Sequence, residues 1–255
     1  MTKPVRRVSA THINPFLRPG PDHALYLARQ ALEEQVGALL GQYQSVVLTG
    51  PPGAGKSRLA RQVFKRCLYH KLLMPHFFTP RLELRPGWDA LTLMRTLLHR
   101  FKEGFQFRGF DYGDTPWPDA EGSLETLQAG LEQVFQFEQE DGLDVVWFLE
   151  PMSAQVTAEH APIWAWLGAS FQQWGRVLTT ATSREELPPS WQTNMVELAL
   201  PPFSPQEVAQ YLLQAAPDLP CSADEVEQLW LASQGWPGPL KALAATWWQR
   251  RMAHL

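Results

Sequence analysis

Cysteine is scarce in this chain: two thiols, Cys67 and Cys221, occur in 255 residues. They lie far apart and neither has CxxC spacing, so no disulfide framework underlies the fold, and buried thiols in a reducing compartment are expected. Charge of either sign is not in excess. Lys and Arg number 22 against 26 Asp and Glu, a net of −4, which provides no general attraction for nucleic acid or an anionic membrane. No uninterrupted apolar run approaches the length of a membrane span, so no membrane insertion is expected. The opening "MTKPVRRVSATHINPF" carries basic residues with no apolar stretch behind them and does not read as a secretory signal. A cytoplasmic protein is expected. The seven histidines show no metal-ligand spacing. No internal repeat, low-complexity tract or Ser/His/Asp signature is apparent.

What the sequence does have is regular alternation. Residues 1–22 are predicted irregular, because Pro4, Pro15, Pro19 and Pro21 interrupt any element. Apolar residues at helical spacing predict a helix from Asp22 to Gly41, and a β-branched run predicts a strand over 45–49. Helices follow over 56–71, over "WDALTLMRTLLHRF", over 123–140 and over 161–174. Strands are predicted at "HFFTPRLEL", where Pro80 marks an edge, and at "LDVVWFL", "RVLTTAT" and "MVELAL". Residues 102–122, rich in Gly, Asp and aromatics, are predicted to be a loop that either presents a partner-binding insertion or covers the core. Strands alternating with helices define an α/β protein with a mainly parallel sheet in three layers. Beyond Leu200 only helices are predicted, two of them opened by the capping boxes "SPQE" and "SADE". The domains expected are therefore 1–201, an α/β domain, and 202–255, a small all-α domain.

The nucleotide assignment comes from "GPPGAGKS". Gly50, Gly55, Lys56 and Ser57 satisfy G-x-x-x-x-G-K-[ST], after a hydrophobic strand and before a helix. Backbone amides must converge on phosphate oxygens there, and glycines allow the close approach. The following helix adds its N-terminal N–H groups and positive dipole end. The expected nucleotide contacts run from Gly50 through Pro51, Pro52, Gly53, Ala54, Gly55, Lys56 and Ser57 to Arg58. Lys56 is the phosphate cation and Ser57 the Mg²⁺ ligand.

Such loops work with an acid at the tip of a neighbouring strand, often followed by a second acid that polarises the attacking water. Here the strand ends "FLEP". One alignment makes Glu150 the metal-side group with Pro151 in place of the catalytic acid. The other leaves Leu149 in the metal-side position and Glu150 as the base. Both lack one acid, so slow ATP hydrolysis, or binding without turnover, is expected.

These features together resemble the AAA+/STAND branch of P-loop ATPases. "NPFLRPGPDHALYLARQALEEQVGALLGQYQSVVLTGPPGAGKSRLARQV" is similar to the opening of ExeA/GspA-type ATPases of secretion and pilus assembly, and to TnsC/TniB-type transposition ATPases. "RVLTTATSRE" resembles a STAND sensor strand, which implies that Ser183 and Arg184 lie near the γ-phosphate. "LALPPFSPQEVAQYLLQ" and "SQGWPGPLKALA" resemble the lid and its G-x-P turn. ExeA-like proteins follow that turn with an arginine. Gly238 stands there instead, and Lys241 is the nearest cation that could substitute. The resemblance implies ATP/ADP with Mg²⁺ between sheet domain and lid, "INPFLRPG" over the base, and lid closure that acts as a switch among protein partners or in a homo-oligomer. Its rivals are a pseudo-ATPase scaffold and a DNA-acting ATPase of the transposition kind. Nucleic acid is not favoured. The row Arg58, Arg61, Lys65, Arg66 and Lys71 reads first as a solvated helix face, and "WWQRR" as lid packing with a basic cap.

Overall fold

A computed structural model describes residues 14–17, 26–69, 77–78, 81–108, 116–140 and 144–253. Two compact units emerge. One spans Arg29–Leu200; the other joins 201–253 to the described residues before Arg29.

In the larger unit α1 (Gln30–Gly41) leads into β1 (Ser45–Thr49) and α2 (Lys56–Tyr69). Next come β2 (Phe77–Phe78), β3 (Arg81–Glu83), α3 (Ala90–Arg108) and α4 (Leu124–Glu140). Then follow β4 (Asp144–Glu150), α5 (Ala154–Glu159), α6 (Ala161–Trp174) and β5 (Gly175–Thr180). The short α7 (Pro189–Gln192) and β6 (Met195–Ala199) complete it. All strand pairs are parallel, in the order β2–β4–β5–β1–β6, with β3 continuing the β2 lane beside β4. Because every strand runs the same way, the loops after β1, β4 and β5 open at one edge, where ligands of such sheets bind.

Side-chain alternation divides the core. Val47, Val145, Trp147, Leu149 and Val177 face α3, α4 and α6, and Phe101 stacks on Trp147 at 5.4 Å. Val46, Leu48, Val146, Phe148 and Leu178 face α1 and α2, and Phe148 meets Phe64 edge-on at 4.8 Å. Burial on both faces explains why β4 is apolar without alternation. The result is the three-layer α/β sheet that the sequence predicts.

Some boundaries differ. The first helix starts at Gln30, not Asp22; Tyr26–Arg29 are non-helical and 22–25 lie outside the described residues. The predicted loop from 102 is helical as far as Arg108. Lys102 and Glu103 favour helix, and a single Gly104 costs only about 1 kcal/mol against the bond gained by each added residue. After 109–115, outside the described residues, Trp117 packs on Phe101 at 5.7 Å, so this part of the segment covers the core.

The smaller unit holds α8 (Pro205–Ala215), α9 (Ala223–Ser233) and α10 (Pro237–Ala253). Ser204–Glu207 and Ser222–Glu225 both form reciprocal capping boxes. Val208, Tyr211, Leu212, Leu240 and Trp248 form its core with Phe16, and Asn14 Nδ2 donates to the Ala245 carbonyl at 3.0 Å. Gly235 takes φ 72°, where the chain turns from α9 towards α10. The terminal "WWQRR" is packing: Trp248 is buried, and Trp247 and Arg251 both bond Glu225.

Candidate functional site

The loop after β1 has the backbone that its glycines predict. Gly50, Gly53 and Gly55 lie at φ 145°, 82° and 91°. Side-chain-bearing residues rarely adopt these values. A Cβ on Gly50 would also sit 3.3 Å from Ala54 Cβ. Ala54 N–H closes a turn on the Pro51 carbonyl at 3.1 Å, and Leu59 N–H makes an early bond of α2 to Gly55 at 2.9 Å. Lys56 bends over the loop and donates to the carbonyls of Gly50 at 2.5 Å and Pro51 at 3.0 Å. Partial burial lowers its pKa, opposed by the nearby Glu186 carboxylate. Glu186 is fixed in turn by Thr182 N–H at 2.6 Å. Glycine conformations, a cationic side chain curled over carbonyls, and the start of a fourteen-residue helix together fit a phosphate chain.

Glu150 ends β4 on the α2 side of the sheet, in phase with Val146 and Phe148, whereas Leu149 is buried on the opposite side. That phase brings its carboxyl to Ser57. Two guanidiniums meet Oε1: Arg81 through Nη2 at 3.0 Å and Nε at 3.3 Å, and Arg61 through Nε at 3.6 Å. Oε2 is buried without a hydrogen bond of ordinary geometry. Burial pushes the carboxyl pKa up, against the opposing pull of Arg81, Arg61 and Ser57. The orphan Oε2, on a carboxyl that meets Ser57, fits one side of a cation. Among the described residues no cluster of three His, Cys, Asp or Glu groups forms a complete metal site.

Arg184 bonds to the segment that joins β5 to β6. Its Nε donates to the Gln192 carbonyl at 2.7 Å, and Nη2 to the carbonyls of Gln192 and Met195. Nη1 lies 3.8 Å from Glu197, whose other oxygen accepts from Thr49 Oγ1 at 2.7 Å. Ser183 precedes a 3₁₀ turn over Arg184–Glu186. Lys241 is half-buried on α10 of the smaller unit. Arg58 is half-buried on the first turn of α2. The basic row of α2 is only partly a solvated face: Arg61 pairs with Glu150, and Arg66 with buried Glu33 at 2.8 Å.

Sequence reasoning missed Arg61 and Arg81 as partners of Glu150, and Thr180. Thr180 ends β5 on the α2 side, fully buried, with Oγ1 unpaired. Ser57 and Arg61 are four apart on one helix, so their shared face was legible. The place of Arg81 depends on β3 lying beside β4.

No protein-family model and no curated protein matches the sequence. Solved structures do match. The Aeropyrum pernix ORC1 protein, determined in complex with DNA, superposes over 93% of this chain with a TM-score of 0.59 at 17% identity. Drosophila ORC bound to DNA superposes over 86% with a TM-score of 0.54 at 14% identity. This chain spans 64% and 54% of those chains. The likeness is one of fold, the parallel α/β architecture of P-loop NTPases with helices following it. No described helix is long and apolar enough to cross a membrane.

Proposed function

We propose that this chain binds ATP and ADP at residues 50–58 and acts as a nucleotide-dependent switch within a multi-protein assembly. The observation that carries the reading is the loop itself: three glycines at positive φ, with Lys56 bonded across to the carbonyls of Gly50 and Pro51. The Lys56 ammonium would leave those carbonyls for phosphate oxygens, which are charged and therefore stronger acceptors. The amides at the start of α2 would hold the same phosphates. Mg²⁺, when bound, supplies charge neutralisation between phosphate oxygens. Ser57 and the free Oε2 of Glu150 are the groups available to hold it. Pro151 stands where a second acid is expected after Glu150, and this favours holding nucleotide over fast turnover. The assembly role rests on the resemblance to ExeA/GspA-type, TnsC/TniB-type and STAND ATPases.

Calorimetry tests the site. Lys56→Ala is expected to weaken ATP binding at least tenfold, about 1.4 kcal/mol. Equal affinities in wild type and variant would remove the loop from consideration.

A further inference from the structure

Glu150 is the one acid at the end of β4, and its surroundings are cationic. Arg61 follows Ser57 by one helical turn, so both project from the same face of α2. Arg81 is in register with Phe148, two residues before Glu150, which sets its side chain on the same face of the sheet as the carboxyl. Both guanidiniums converge on Oε1, at 3.0 and 3.6 Å. Counting Lys56 and its neighbour Glu186, three cations stand against two carboxylates before any phosphate arrives. A dication between Ser57 and Oε2 would lie within a few ångströms of both arginines. Even at an effective dielectric of about 20, that repulsion is worth more than a tenfold change in binding. Phosphate oxygens meet the opposite situation, because the cluster already attracts them.

Resting on the nucleotide reading above, we propose that Arg61 and Arg81 take over, at the Glu150 end of the loop, the charge role of a divalent cation, so that the chain binds ATP with little dependence on Mg²⁺. They act by the charge they place beside Oε1, where Arg81 is fixed by two hydrogen bonds and Arg61 by an ion pair.

The test is calorimetry of the full chain with ATP, once with excess Mg²⁺ and once with EDTA. The wild type is expected to show affinities within about threefold of each other. The double variant Arg61→Gln, Arg81→Gln is expected to bind at least about tenfold more tightly with Mg²⁺ than with EDTA. Arg81→Lys, which keeps the charge, is expected to stay insensitive. Circular dichroism melts verify that the variants fold, and if the glutamine variant does not, the wild-type pair decides. Wild-type binding strengthened tenfold or more by Mg²⁺ overturns the proposal and leaves the nucleotide reading standing. A folded double variant as metal-insensitive as the wild type overturns the role of the arginines. Absence of ATP binding in both buffers overturns this proposal together with the nucleotide reading.

Discussion

Replacing Arg184 with alanine separates two roles that the same residue could hold. A γ-phosphate sensor acts only when nucleotide is present, whereas a structural tie acts always. The guanidinium donates to the carbonyls of Gln192 and Met195 and approaches Glu197, so it fastens the segment between β5 and β6 to the end of β6. A hydrogen bond from a charged donor contributes about 1.5–3 kcal/mol when well shielded. The side chain is 36% exposed, which discounts this, and the total loss on truncation is about 2 kcal/mol. For a domain of this size that lowers the melting temperature by about 4–8 °C. Differential scanning calorimetry of the nucleotide-free wild type and Arg184→Ala measures it. A melting temperature unchanged to within about 1 °C, combined with a lost difference between ATP and ADP states, would refute the structural assignment and restore the sensor.

Gly235→Ala is expected to destabilise the helical unit by more than about 3 kcal/mol, because φ is 72° and the new Cβ would collide with the Phe203 carbonyl oxygen. Limited proteolysis between 201 and 253 reads that loss directly. The Cys221 thiol, pushed up to about 11 by burial and by Glu225, is expected to alkylate slowly, with a thiolate fraction of about 10⁻³ at pH 8. Since the thiolate is the nucleophile, its rate should rise about tenfold per pH unit towards pH 11. Peptide mass spectrometry after iodoacetamide follows this cysteine alone.

Local chemistry made much of the fold legible. The run from Val145 to Leu149 is apolar throughout because both faces of β4 are covered. The two capping boxes fixed the starts of α8 and α9 because both partners of each reciprocal bond lie within four residues. The missed elements lacked such signals. α5 and α7 are six and four residues long, too short for a helical period to register. α3 ran past its predicted end because the glycine and aromatics taken as loop signals do not by themselves stop a helix already propagating. Strand order was beyond the sequence, since parallel pairs join residues such as Val46 and Leu178.

The same division holds at the site. The loop was readable because its requirement is local: glycines for conformation, a lysine for charge, a helix directly behind. Glu150 was readable as a candidate, but its two alignments could not be separated by counting residues along one strand. What counting leaves out is the face of the sheet. Phe148 packs on Phe64 of α2, and Glu150, two residues on, must emerge beside α2 and Ser57. Leu149 must then point into the opposite layer, where it is fully buried. The arginines follow from the same geometry. A carboxyl at the sheet edge against the loop helix meets whatever that helix presents one turn after its serine, and whatever the adjacent strand presents two residues upstream in register. In this chain both positions are arginine, at 61 and 81. The character of the site is therefore set by three residues that are remote in sequence and that the packing of α2 against β4 and the parallel pairing of β3 with β4 bring together.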